Sequence, residues 1–178
     1  MKRRSILSAV LAGAILGLSA ARAEDDSKLA GDVKTAIAAF NTADSNMAKL
    51  FKKSAGYVVF PNVGKGGFIL GGAHGNGLVY EKGKFVGRAS LTQVTVGAQL
   101  GGQEFSEVVF FEDAKALADF KTSEFTMNAQ VGAVAAAEGV SQNAKYIDGV
   151  MVFTRAKQSL MAEASVVGQK FKFEPVKQ

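Results

Sequence analysis

The chain has 178 residues, 48% hydrophobic and 21% charged, enough for an ordinary globular fold and too polar for a polytopic membrane protein. Its formal charge of +5 invites a nucleic-acid reading, but Lys2, Arg3, Arg4 and Arg22 fall in an N-terminal leader, and without them 17 basic residues face 16 acidic ones. With no Cys there is no disulfide framework, thiolate metal site or cysteine nucleophile, and with one His, His74, imidazole-rich metal sites and Ser/His catalysis are all but excluded.

Residues 1–23 read as a secretory signal: a basic start MKRR, an apolar stretch from Ile6 to Leu18, and the small-residue pattern Ala21-Arg22-Ala23. Cleavage is expected after Ala23, which makes the periplasm the expected home of the mature chain. The acidic Glu24-Asp25-Asp26 that follows reads as a solvated tail.

From Lys28 onward Leu29, Val33, Ala36, Ile37 and Phe40 recur at three- and four-residue steps, so they share one helical face, with Lys34 and Thr35 opposite. Asp44-Ser45 supply caps for a second, short helix. It carries Met47, Leu50 and Phe51 on one side and Lys49, Lys52 and Lys53 on the other.

At Gly56 the texture changes, because residues 56–102 hold 13 of the mature chain's 18 glycines and almost no helical periodicity. Tyr57-Val58-Val59-Phe60 reads as a strand stopped by Pro61-Asn62. Phe68-Ile69-Leu70 and Leu78-Val79-Tyr80 flank Ala73 to Gly77 as a hairpin would, and a further turn is predicted at Glu81-Lys82-Gly83-Lys84. Val94, Val96, Ala98 and Leu100 alternate with polar or small residues, the two-residue period of a strand, before a turn at Gly101-Gly102. Phe105 to Phe111 forms the next strand. Glu112-Asp113 then open a helix through Phe120, where the helix dipole favours acids. Three more strands are expected: Met127 to Ala135, Val150 to Thr154 and Leu160 to Val166. Both prolines fall outside the expected strand cores, and the glycines of 66–77 predict coiling, bulges or close approach of another backbone.

The expected architecture is α+β, a large, curved, mainly antiparallel sheet, barrel-like or sandwich-like, with N-terminal amphipathic helices and one internal helix. With no linker or repeat, residues 24–178 read as one domain with a core of about 28–173.

The glycine run Gly64 to Gly72 lacks the Lys-Ser/Thr pair and following helix of a P-loop, and the βαβ frame of a dinucleotide fold, so its glycines read as structural. His74 falls in a predicted turn with no second imidazole, and the spread acids Glu104, Glu107 and Glu112 give no sign of converging. No metal, cofactor or catalytic constellation is expected.

Charge distribution is more informative. Residues 45–103 carry Lys49, Lys52, Lys53, Lys65, Lys82, Lys84 and Arg88 against Glu81 alone, whereas 104–138 carry seven acids against Lys115 and Lys121. A fold that keeps the first segment on one side presents a cationic patch beside Met47, Leu50 and Phe51, a pairing that suits an anionic bilayer surface. In the plainer alternative those three residues pack into the core and the lysines form a solvated face. Nucleic acid is disfavoured by the acidic half and by the lack of a reading motif.

Five segments in order, KGGFILGGAHGNGLVY, GAQLGGQ, EVVFFEDAKALADF, FTMNAQVGAVAAAEG and VMVFTRAKQSLMAEASVVG, resemble the SYLF domain, a lipid-binding family of bacteria and eukaryotes. The resemblance spans roughly residues 28–173. It implies an exported, non-catalytic module that recognises anionic phospholipid, with the N-terminal helices and the lysines around 49 to 53 facing the membrane. The alternative is a structural or protein-interaction domain of the cell envelope, with an envelope protein as partner.

Overall fold

A computed structural model describes residues 5–66, 70–96, 103–122, 124–127, 133–156 and 168–176; the side chains of 5–23 and of several strand ends, Lys65 included, lie outside that description. The elements run α1 (Ser5–Ala43), α2 (Met47–Lys53), β1 (Gly56–Gly66), β2 (Leu70–Glu81), β3 (Lys84–Val96), β4 (Gln103–Phe111), α3 (Ala114–Phe120), β5 (Phe125–Thr126), β6 (Ala133–Ala135), β7 (Val150–Ala156) and β8 (Gln169–Pro175). The fold is α+β, as the sequence predicts.

The eight strands among the described residues form one sheet of order β5-β8-β3-β2-β1-β4-β7-β6, antiparallel except where β6 lies parallel to β7. Its two edges are consecutive in the chain, which forces it to curl. Laid flat, seven interstrand steps would part β5 from β6 by about 34 Å. The seven residues from Thr126 to Ala133 reach at most about 25 Å.

Curling gives the sheet an inner and an outer face, each with its own core. Inside, Val58, Phe60 and Val63 of β1 meet Val79, Leu91, Val109, Val152 and Phe171, and Leu117 and Phe120 of α3 plug one end. Outside, Tyr57, Val59, Val108, Phe110 and Phe153 lie beneath Val33, Ala36 and Phe40 of α1 and Met47 of α2. The apolar runs of β1 and β4 are continuous rather than alternating because both of their faces are covered. The helical face read from the sequence is the one that packs: Val33 and Phe40 are fully buried, while Lys34 and Thr35 are exposed.

Several expectations need correction. Pro61 does not end β1; the strand continues through a bulge between Val59 and Val63, and the Pro61 carbonyl accepts a hydrogen bond from the Ser106 hydroxyl at 2.8 Å. A bulge is where a sheet tolerates a residue with no N–H to donate. Ala73 to Gly77 is not a turn but the middle of β2, paired on both sides, so His74 projects from a strand and is exposed. A Cβ on Gly77 would sit 2.5 Å from the Val59 carbonyl and 2.7 Å from the Phe60 ring, so glycine is what lets β2 close on the bulged strand. Gly77→Ala is therefore expected to destabilise the fold by about 3 kcal/mol, read as a lower urea midpoint at unchanged slope; an unchanged midpoint would show that the strands have room to part.

Glu24, Asp25 and Asp26 are not a tail but belong to α1, and the expected cleavage point after Ala23 falls inside this continuous helix. Of the expected strand Met127 to Ala135, Ala133–Ala135 form β6 and Met127 lies just past the end of β5, while 128–132 lie outside the described residues. The expected strand Leu160 to Val166 and the turn at Gly101-Gly102 lie outside the described residues, while β8 is a strand the reading missed.

Candidate functional site

At the hairpin between β2 and β3, Lys82 and Gly83 both take positive φ, 48° and 77°, the mirror-image turn whose twist suits a two-residue hairpin. The turn places Lys82, Lys84 and Phe85 at the tip, all exposed. Beside it, α2 ends at Lys53, and the chain passes through Ser54-Ala55 into β1. The Lys82 amide donates to the Ala55 carbonyl at 3.2 Å, so the exposed Lys52 and Lys53 end next to the hairpin lysines.

Glu81, the acid of this stretch, is already engaged. The Lys121 ammonium, at the end of α3, donates to its Oε2 at 2.5 Å. That hydrogen bond, and the cation behind it, hold the Glu81 carboxyl below the usual carboxylate value. The four lysines therefore face solvent as a corner of uncancelled positive charge.

The other candidates fall elsewhere. Lys49 shares the exposed face of α2 one turn back, its ammonium donating to the Asn46 side chain at 3.0 Å. Lys65 lies nine residues along β1 from Gly56, about 30 Å from the hairpin end, and does not join the corner. Arg88 is ion-paired with Asp26 of α1 and does not join the corner.

The apolar trio does not form a free surface. Met47 is fully buried, and Leu50 and Phe51 are half-buried against the outer core. The Phe51 ring packs edge-on against Tyr57 and Phe110, with centroids 5.0 and 4.9 Å away. Amphipathic periodicity serves a core and a bilayer equally, and here the aromatic residues of β1 and β4 take it. The exposed apolar side chain at the corner is instead Phe85, 46% exposed, which the sequence reading missed although it directly follows the hairpin lysines.

The elbow between α1 and α2 orients the lysine-bearing helix. Asp44 is buried there: one carboxylate oxygen accepts from the Asn46 amide at 2.9 Å, the other from the Ser141 amide at 2.8 Å. Burial alone would raise its pKa, but these hydrogen bonds prevail and hold it at about 2. Ser45 binds the Glu138 carboxylate through both its amide and its hydroxyl.

Part of the acidic half, Glu112 and Asp113, stands at the same end of the sheet but across it, joined there by Asp148, whereas Glu104 lies at the far end of β4, Glu107 is buried and Glu138 sits at Ser45. Glu112 follows β4, Asp113 caps α3 by accepting from the Ala116 amide at 2.8 Å, and Asp148 precedes β7. This end is thus basic on its β2–β3 side and acidic on its β4–β7 side.

Glu104, Glu107 and Glu112 do not converge. Glu107 faces the inner core, where it accepts a hydrogen bond from the Gln169 amide group at 3.0 Å, while Glu104 and Glu112 are exposed near opposite ends of β4. Among the described residues no three carboxylate or imidazole groups come together as a metal site would require, and no helix is long and apolar enough to cross a membrane.

No family model matches the chain. It is 28% identical over 124 residues to a protein described as Beta cell expansion factor A from Aeromonas veronii, a match that covers 68% of this chain. The chain spans about half the length of that curated relative, 47%.

Proposed function

We propose that the protein is a non-catalytic, periplasmic module that docks on anionic phospholipid surfaces through the corner formed by Lys52, Lys53, Lys82 and Lys84. One observation carries this reading: the α2 end and the hairpin tip are tied together by the Lys82 amide on Ala55, while Lys121 neutralises Glu81. Four positive charges in one corner, each worth about 1 kcal/mol at an anionic surface, are enough for reversible binding. Phe85 adds an exposed apolar side chain beside the lysines. The acidic opposite side makes the molecule a dipole that orients the corner toward negative charge. The SYLF resemblance points the same way.

Cosedimentation with vesicles tests the proposal. Binding is expected to vesicles containing phosphatidylglycerol at low salt and to fade as ionic strength rises through 0.15 M, where screening acts within about 8 Å. Binding that ignores lipid charge or salt would overturn it. Absence of vesicle binding, together with stoichiometric recovery of one envelope protein, would favour a protein-interaction domain instead.

A further inference from the structure

A groove of about 720 Å³ runs between α1 and the β3–β8 pair, within the size range of pockets that hold small amphiphiles. Its apolar wall includes Phe85, Phe173 and Val176. Phe85 and Val176 are two of the three large hydrophobic side chains left exposed among the described residues, the third being Ile147.

The polar edge of the groove is not cationic. Arg88 and Glu174 are direct cross-strand partners in the β3–β8 register, and Asp26 pairs with the Arg88 guanidinium from α1. Just outside, the Lys172 ammonium lies 3.8 Å from the Glu174 carboxylate. The row Asp26, Arg88, Glu174, Lys172 alternates in sign and sums to zero. A net-negative headgroup would meet two carboxylates and no free cation there, whereas a headgroup with a phosphate and an amine would find a partner for each. Arg88 has five N–H donors in a planar fork, so it can keep Asp26 and still donate to a phosphate oxygen.

We infer that this groove takes one phospholipid with an ethanolamine-type headgroup: the acyl chain along Phe85, Phe173 and Val176, the phosphate at Arg88, the ammonium at Glu174 and Asp26. Phe85 belongs to both features, since it follows Lys84 at the tip and lines the groove, so the mouth opens beside the basic corner. The inference rests on the proposed membrane docking for the source of the lipid. The corner would bring the protein to an anionic surface, and the groove would select a different, zwitterionic component of it.

Native mass spectrometry of the full chain tests this without vesicles. The protein is mixed with equal amounts of lysophosphatidylethanolamine and lysophosphatidylglycerol of one acyl chain, both below their micelle concentrations. A one-to-one adduct favouring the ethanolamine lipid by about fivefold is expected, the upper range for one partly exposed ion pair. Glu174→Gln combined with Asp26→Asn should remove the preference for the ethanolamine lipid, bringing the ratio to one or below while an adduct persists, and Val176→Asp should abolish the adduct. No adduct, equal retention of both lipids, or an unchanged ratio in the double variant would overturn the groove. Such a failure alongside intact salt-sensitive vesicle binding would leave the docking corner standing, whereas loss of vesicle binding with the adduct preserved would remove the corner alone.

Discussion

Replacing Lys52, Lys53, Lys82 and Lys84 together by Gln is expected to weaken association with phosphatidylglycerol vesicles by about 4 kcal/mol, close to a thousandfold. The effect is large because these charges are exposed and gathered, and the one acid of their stretch is taken by Lys121. A matched variant separates position from net charge. Lys28, Lys34, Lys145 and Lys170 are also exposed but lie on α1, in the loop before β7 and on β8; changing those four to Gln removes the same total charge away from the corner. It is expected to weaken binding about tenfold or less, through screened long-range attraction alone. Equal losses in the two variants would mean that overall charge, and not this corner, drives association. Folding is not at risk in either, since none of the eight side chains is buried.

The second large effect concerns the elbow that sets α2. At neutral pH Asp44→Asn is expected to cost about 3 kcal/mol, because an amide nitrogen would then face a backbone N–H, of Ser141 or of Asn46, that now has a carboxylate oxygen. The pH dependence follows from the same contacts. The folded carboxyl titrates at about 2 and its ordinary value is 3.8, so Asp44 contributes its full stabilisation above 3.8. That contribution, about 2 kcal/mol, is lost as pH falls from 3.8 through 2. Urea unfolding of wild type and variant at pH 7, 4 and 2 isolates it: the gap between the two should hold from pH 7 to 4 and narrow toward pH 2. A gap independent of pH would mean that the Asp44 charge does not secure the elbow.

Much of the fold was legible where local chemistry and tertiary demand agree. The hairpin at Glu81 to Lys84, the strand and capped helix from Phe105 to Phe120, and the buried face of α1 were each marked by residues that do the same job in isolation. Reading failed where a residue answered to a distant neighbour. The glycines of β2 look like turn residues, yet Gly77 is small because the bulged strand beside it comes close. Pro61 looks like a stop, but a bulge absorbs it. Strand β8 was missed although Phe171 and Phe173 alternate with Lys170, Lys172 and Glu174. The site was half legible. The basic bias of residues 45–103 is real, but only the pairing of β1 with β2 decides that Lys52, Lys53, Lys82 and Lys84 meet while Lys65 ends far away. Nothing in the local pattern distinguishes Arg88, neutralised from α1, from a free cation.

The strand order also constrains when the molecule can be assembled. Strand β8 follows the other seven described strands in the chain, yet it fills the place between β3 and β5 rather than adding to an edge. Until residue 175 has left the ribosome, β5 has no partner and β3 keeps a bare row of amides and carbonyls. A chain emerging from its N-terminus can pair β1 with β2 and β2 with β3 early, through short loops, but must hold an open, sticky border for some eighty residues more, from β3 to β8. Closure thus waits for β8, and chains truncated before β8 are expected to aggregate along that border rather than fold into a smaller sheet.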